Sequence, residues 1–300
     1  MVRSQKEAAA MRRVRRRGRT LKNSMISSEL KERYQHALVQ VTQFWADHNV
    51  DIHSLDVLDE AVATYLEYIF AEGLPKSLAS DTLASIQHHL PTSCGRLRFS
   101  WKMVKTWQKL EPPTRLVPLS PLVVRAFSGA LWQSGFRREA AALLVGFDAM
   151  LRPGELYQLR CKDITFYGGT AVITLRDTKT GQRKGSDEMV VIESQLACNI
   201  LRQAVVAVPR SHLLISISPY RFRLLFQRLV AHFQLKGSVG MYSLRRGGAT
   251  FDFLLHKSME RTLLRGRWAS SSTASKDLPP AYRGFYFRVG SHQDPAYSSC

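Results

Sequence analysis

Three segments of the chain carry side chains suited to binding and cleaving a phosphodiester. Arg152 precedes Glu155 by three residues, Tyr242 precedes Arg245 by three, and Lys179 lies between the two pairs. Arginine suits phosphate because its planar guanidinium meets two oxygens at once and keeps its charge. Lysine suits protonation of a leaving oxygen because its pKa falls readily when it is desolvated among cations. With a tyrosine as nucleophile, such a set can act without a metal.

Each of these residues also has an ordinary structural interpretation. An arginine in a turn is most often a surface residue, and a lysine at a hairpin tip is usually solvated. Trp268 follows Gly266 at a predicted helix end, and tryptophan more often anchors a core than takes part in chemistry. The functional interpretation therefore depends on the elements that position these residues.

A short β-prone region interrupts a chain of otherwise helical patterns. Residues 164–166, 171–175 and 188–192 are rich in β-branched and aromatic side chains. Gly168 and Gly169 separate the first two segments, as a tight hairpin requires. We expect a mainly α-helical protein with a small antiparallel β-sheet, an α+β fold.

Helical spacing of apolar residues predicts several helices on both sides of this region. Ser28 and Ser77 are predicted to cap the first and third helices, and Ser120 is predicted to cap a helix with proline in its first turn. Gly247 and Gly248 follow Arg245 within a predicted helix, which glycine weakens unless the helix packs very closely against another element.

Composition and prolines divide the chain into five predicted parts. The stretch before residue 122 contains four prolines within eleven residues and indicates an interdomain linker. The parts are a basic disordered arm (1–26), a helical domain (27–111), a linker (112–121), a second domain that contains the β-prone region (122–274) and a disordered tail (275–300).

The order of these features resembles the tyrosine-recombinase, or phage-integrase, family over residues 28–274. That family has an arginine in an L-R-x-x-E segment, a hairpin lysine, an H-x-x-R segment, then His or Trp, then a nucleophilic tyrosine. The resemblance implies that Arg152, Lys179, Arg245 and Trp268 are catalytic, with Glu155 supporting Arg152. It also implies that residues 27–111 are a DNA-binding core-binding domain, that residues 122–274 are a catalytic-type domain and that residues 275–300 diverge from the family. The implied activity is DNA recombination or integration through a 3′-phosphotyrosyl intermediate, as in a eukaryotic mobile element.

Two positions depart from the family pattern. Tyr242 stands where the family has histidine, and a tyrosine hydroxyl is a poor general base at neutral pH. The nucleophile is expected near Asp277, and the nearest tyrosine is Tyr282, beyond Pro279 and Pro280. Three functions stay open: an active recombinase with Tyr282 as nucleophile, a degenerate recombinase-fold protein that binds DNA without cutting it, and a helical scaffold whose charge is incidental.

The charge of the chain points to a polyanionic partner. Its 43 basic and 24 acidic residues give a net charge of +19. Nine basic residues and one acidic residue lie within residues 1–22, so this arm favours contact with phosphates or nuclear import. We expect double-stranded DNA as the partner and, from the resemblance, a homotetramer on paired DNA sites.

The remaining expectations concern cofactors and location. No residue pattern predicts a cofactor or a metal, and the four cysteines show no paired spacing. Scattered cysteines are typical of a reduced, intracellular compartment, and the basic arm favours the nucleus. The most apolar stretch is short and contains Asp148, so we expect no membrane association.

Overall fold

The computed structural model describes residues 25–176 and 187–270. The chain divides into two compact units, Met1–Pro113 and Thr114–Cys300. Within the described part, regular structure consists of eleven α-helices, two short 3₁₀ turns and three β-strands. The predicted fold class, mainly α-helical with a small antiparallel sheet, is confirmed. No described helix combines the length and apolarity needed to cross a membrane.

The first unit is a bundle of four helices around an apolar core. The core contains residues such as Val62, Ile69, Leu83 and Leu97, which are fully buried. Their spacing places them on one face of each helix, as an amphipathic pattern requires. The helices are α1 Ser28–Asp47, α2 Leu55–Ala71, α3 Lys76–His89 and α4 Arg98–Leu110, with a 3₁₀ turn at Pro91–Ser93.

A buried aspartate joins α2 to the start of α4. The carboxylate of Asp59 accepts hydrogen bonds from the backbone N–H of Phe99 at 2.9 Å and of Ser100 at 3.0 Å, and from the Ser100 hydroxyl at 2.6 Å. First-turn amides have no partner within their own helix. Asp59 therefore caps a helix that is distant in sequence and ties the two helices together.

Two of the three predicted caps are wrong by one or two residues. Ser27, not Ser28, caps α1 and accepts from the N–H of Leu30. Pro75 stands at the N-cap of α3 without a side-chain cap, so Ser77 lies inside the helix. The predicted cap at Ser120 is confirmed: its hydroxyl accepts from Val123 and Pro121 begins the helix.

The second unit encloses one central helix. That helix, α6, is buried along most of its length from Glu139 to Phe147, and it contacts four other helices, α5, α7, α8 and α10. The helices are α5 Pro121–Gln133, α6 Arg137–Asp148, α7 Pro153–Gln158, α8 Gln195–Val205, α9 Pro219–His232, α10 Tyr242–His256 and α11 Met259–Gly266; a 3₁₀ turn spans Cys161–Asp163.

The β-sheet has three antiparallel strands in the order β1-β2-β3. They are β1 Ile164–Tyr167, β2 Thr170–Leu175 and β3 Glu188–Ile192, each within one residue of its predicted bounds. Gly168 has a φ of +55° in the β1–β2 turn, a conformation that glycine adopts without steric cost. The buried side chains of the strands join the core around α6.

The two glycines of α10 allow this helix to pack very closely against its neighbours, as the sequence predicts. A Cβ on Gly247 would lie 2.2 Å from the carbonyl oxygen of Leu119, and one on Gly248 would lie 2.1 Å from that of Phe147. No side chain fits at those distances, so α10 approaches the main chain of its neighbours directly. This approach fixes the position of Arg245, two residues before Gly247.

Candidate functional site

Arg152 stands at the N-cap of α7. Pro153 occupies the first position of this helix and Glu155 the third. The Glu155 carboxylate accepts from the backbone N–H of Arg152 at 2.8 Å and from its Nη1 at 2.6 Å. The Arg152 side chain is 33% exposed and that of Glu155 is 9% exposed, so Glu155 holds an arginine that still reaches solvent.

A second arginine shares the same carboxylate. The Nη2 of Arg267 donates to Oε2 of Glu155 at 2.7 Å, and its Nη1 donates to the carbonyl of Ala149 at 3.3 Å. Its Nε lies 3.4 Å from Oε2 of Glu188, the first residue of β3. Arg267 is not among the residues predicted from the sequence, because the helix end is expected at Gly266, one position earlier.

Arg245 lies at the centre of this group and is fully buried. Its Nη1 donates to the carbonyl of Met150, and its Nη2 donates to the carbonyl of Gly266 at 2.6 Å. Its Nε has no hydrogen-bond partner among the described residues. A charged side chain is almost never buried to this degree without partners. Here the partners are the two backbone carbonyls, which accept its hydrogen bonds.

Trp268 stacks on Arg245. The Cζ of Arg245 lies 4.2 Å from the centroid of the indole ring, within the range of a cation–π interaction. The ring also lies against Gly266, where a Cβ would be 1.5 Å from Cζ3. The described structure therefore brings Arg152, Arg245, Glu155 and Trp268 together with Arg267, a set named here the arginine cluster.

The charges of the cluster act on one another. Burial, followed by the positive charges of Arg152 and Arg267, lowers the pKa of Arg245 to about 10, which leaves it protonated at neutral pH. Burial also lowers the pKa of Arg267, and Arg152 acts in the same direction. Burial by itself would raise the pKa of Glu155, but Arg267 and Arg152 outweigh it and hold the pKa below its usual value.

The cluster has the chemistry of an anion site. Arg152 and Arg267 pair with two carboxylates, those of Glu155 and Glu188. Arg245 bonds only backbone carbonyls, so the cluster has an excess of one positive charge. Fixed cations in a water-poor setting stabilise charge on phosphate oxygens. Tyr242, which begins α10 and is half-buried, is close enough to act electrostatically on Arg245.

Two predicted site residues, Lys179 and Tyr282, lie outside the described residues. Lys179 belongs to the connection between β2 and β3, and Tyr282 belongs to the C-terminal segment. Their predicted roles as general acid and as nucleophile therefore stay predictions. The same holds for the basic arm and for the tail after residue 270.

An open groove of about 740 Å³ begins at Arg152 and Glu155. Three further basic side chains, those of Arg160, Lys162 and Arg176, line it and are exposed. Arg176 is paired with Asp163 at 2.8 Å. The groove thus extends the positive surface from the cluster along α7 and the sheet.

A separate polar group could offer metal ligands. Ligand atoms of Glu193, Asp252 and His256 lie within 4.8 Å of one another. Asp252 accepts a hydrogen bond from Nη1 of Arg265 at 2.7 Å, and Arg261 donates to Glu193 at 2.6 Å. Two guanidinium groups already provide the positive charge that a cation would bring, so this group is an ion-pair network between α10, α11 and the residue after β3.

Comparisons with known proteins find similar folds among solved structures only. The scan against protein-family models gives no match, and the search of curated proteins gives none. Among solved structures, the integrase of transposon Tn1549 in complex with transposon right end DNA aligns with a TM-score of 0.63 at 12% identity, over 94% of this chain and 98% of that one.

A dimer of lambda integrase residues 75–356 bound to a COC′ core site aligns with a TM-score of 0.58 at 14% identity, over 90% of this chain and 93% of that one. Both alignments extend over nearly the whole of the compared chains. At these identities the likeness concerns the fold. The chain therefore has the fold of the tyrosine recombinases and integrases.

Proposed function

We propose that this chain binds duplex DNA and holds one backbone phosphate at the arginine cluster, as a site-specific recombinase does before strand transfer. Arg152, the partly exposed arginine of the cluster, contacts the phosphate oxygens. Arg245 adds a fixed positive charge behind it. The exposed basic residues of the groove, Arg160 and Lys162 among them, extend the contact to neighbouring phosphates.

One observation carries the proposal: arginines from three separate elements converge at a single place. Arg152 comes from α7, Arg245 from α10 and Arg267 from the end of α11. Gathering like charges is unfavourable unless a counter-charge is held between or beside them. The excess positive charge left after pairing with Glu155 and Glu188 favours an anion as the ligand. The DNA-bound integrases that share the fold favour a DNA phosphate as that anion.

Strand transfer requires residues beyond the described part of the chain. In this proposal the oxygen of Tyr282 forms the 3′-phosphotyrosyl bond, and Lys179 protonates the leaving 5′ oxygen. Trp268 packs against Arg245 and donates a hydrogen bond from its indole. Tyr242 donates its hydroxyl to a phosphate oxygen at the position where the resembled family has histidine.

Duplex binding without cleavage is the second candidate function, and the tail sequence favours it. The position expected for the nucleophile is Asp277, and Pro279 and Pro280 follow it. Adjacent prolines prevent the continuous helix that would deliver a tyrosine there. A chain of this kind keeps the cationic site and loses the covalent step.

The binding step is tested by fluorescence anisotropy with a labelled duplex of about 30 base pairs across a salt series. We expect log Kd to rise linearly with log salt concentration. Arg152→Gln is expected to reduce the slope of this line by the contribution of about one phosphate contact. Arg137→Gln is the matched control, since it removes the same charge from the exposed start of α6. Binding that is insensitive to salt would overturn the proposal.

The cleavage step is tested with a nicked suicide duplex that traps a covalent adduct. An adduct that disappears in Tyr282→Phe assigns strand transfer to this chain. Salt-dependent binding with no adduct from any tyrosine assigns binding alone. Assembly as a homotetramer on paired sites, action on a mobile element and a nuclear location belong to the same proposal, and light scattering of the DNA complex measures the first of these.

A further inference from the structure

Arg267 combines two features that are unusual for an arginine. Its backbone has φ 57° and ψ 41° at the C-cap of α11, a left-handed conformation in which a Cβ is disfavoured and glycine is common. Its side chain is only 8% exposed. Residues held in such conformations cluster at functional sites, where surrounding contacts hold them in place. The contacts of the Arg267 side chain therefore need an explanation beyond ending a helix.

Those contacts join three elements. The guanidinium of Arg267 bonds Glu155 of α7, the carbonyl of Ala149 after α6, and faces Glu188 of β3. Glu155 in turn holds both the N–H and the Nη1 of Arg152. Removing Arg267 would leave the Glu155 carboxylate with one cationic partner in place of two.

Arg267 and Glu188 of β3 lie close together but form no hydrogen bond. The Nε of Arg267 and the Oε2 of Glu188 are 3.4 Å apart, and neither atom has a hydrogen-bond partner among the described residues. Glu188 is 15% exposed, so little water reaches the pair. Two nitrogens of the Arg267 guanidinium therefore lie against two different carboxylates: Nη2 bonds Glu155, and Nε faces Glu188.

We propose that Arg267 is a positioning residue: it holds Glu155, and through it Arg152, in the orientation that binds a backbone phosphate, and it anchors that pair to the sheet through Glu188. This inference rests on the proposed function. Arg267 itself does not bind the phosphate, because its guanidinium is nearly enclosed and turned toward two carboxylates. Its burial distinguishes it from Arg152, which is 33% exposed.

The test uses the salt dependence of duplex binding by the full chain. We expect Arg267→Gln to weaken binding about tenfold at low salt and to reduce the slope by the same amount as Arg152→Gln. The double variant is expected to show no further reduction, since both changes remove the same phosphate contact. A merely structural loss would lower the active fraction and leave the slope unchanged.

Two companion variants sharpen the result. Arg267→Lys keeps the charge but loses the planar fork that faces both carboxylates, so we expect its slope to stay reduced; full rescue would overturn the inference. Arg265→Gln is the matched control, because this arginine of the same helix pairs with Asp252 and Asp148 and lies outside the cluster. Its slope is expected to equal that of the unchanged chain.

A variant at Glu188, the residue that Arg267 faces on β3, provides a second test in case Arg267→Gln does not fold. Glu188→Gln is expected to weaken binding about threefold. In the double variant with Arg267→Gln, the loss of affinity is expected to be smaller than the sum of the two single losses, because both changes disturb the same contact. Additive slopes in Arg152→Gln and Arg267→Gln would assign Arg267 a phosphate of its own and overturn positioning. Absence of salt-dependent binding by the unchanged chain would overturn the proposed function with it.

Discussion

The indole of Trp268 occupies the space in which a side chain on Gly266 would stand. A Cβ at Gly266 would lie 1.5 Å from Cζ3 and 2.1 Å from Cε3 of that ring. The same ring stacks on the guanidinium of Arg245 at 4.2 Å. The absence of a side chain at one position therefore places the aromatic partner of a buried cation.

Gly266→Ala is expected to displace the ring of Trp268 from Arg245. The loss of the stacked cation–π contact and the local repacking lower the free energy of unfolding by about 1–2 kcal/mol. With 5-fluorotryptophan incorporated, the ¹⁹F signal of Trp268 shifts and the other four of the five tryptophans keep theirs. Gly129→Ala, on an exposed helix face with no atom within 4 Å of the new Cβ, leaves all five unchanged. An unshifted Trp268 signal in Gly266→Ala would contradict the packing.

Gly248→Ala is expected to destabilise the second unit by about 2–3 kcal/mol. The new methyl group meets the carbonyl oxygen of Phe147, a main-chain atom that cannot move without shifting α6. Chemical denaturation monitored by circular dichroism measures the change. Gly129→Ala serves again as the control, since alanine in an exposed helix position stabilises slightly. Equal stability of the two variants would mean that α10 is not held against α6.

Asp59→Ala is expected to destabilise the first unit by about 2 kcal/mol, because two first-turn amides of α4 and the Ser100 hydroxyl lose their acceptor. Glu60→Ala, at the next and exposed position of α2, changes stability by less than about 0.5 kcal/mol. Thermal denaturation of both variants separates capping from loss of charge. A similar result for the two would show that the cap contributes little.

The stability of the second unit is expected to depend on pH through Glu155. Its pKa is lowered in the folded chain, so its contribution is complete above the unfolded value of about 4.3 and is lost as pH falls through the lower folded pKa. Glu155→Gln removes this part of the acid dependence. Denaturant titrations from pH 7 down to about pH 3, below the unfolded value, measure it. Parallel pH profiles for the two chains would contradict the lowered pKa.

The sequence predicts the elements around the cluster because their signals are local. The glycine pair between β-prone segments predicts the β1–β2 hairpin, and Ser120 followed by Pro121 predicts the start of α5. The wrong caps have an equally local reason. Ser27 and Ser28 are adjacent and equally suited to the role. At α3 the backbone carbonyl of Pro75, rather than a serine hydroxyl, accepts from the N–H of Leu78.

Arg267 escapes a sequence-based prediction for a different reason. A left-handed residue after a helix is expected to be glycine, and here Gly266 stands one position earlier, inside the last turn. The direction of the arginine side chain depends on that backbone conformation and on Glu188, which the chain places far away in sequence. The signal that could have found it is the unused acidic residue at the start of β3, since a buried carboxylate needs a cation.

The sharing of Glu155 also determines when the cluster can exist. Glu155 and Arg267 are 112 residues apart, so their ion pair forms only after α11 has been made and has packed. Contacts of such long separation form late, since the loop between them must close first. On a ribosome, which synthesises the chain from its N-terminus, Arg152 emerges long before its second anchor. An incompletely synthesised chain therefore presents an arginine whose carboxylate partner has only one anchor, and the ordered site forms only when translation has passed α11.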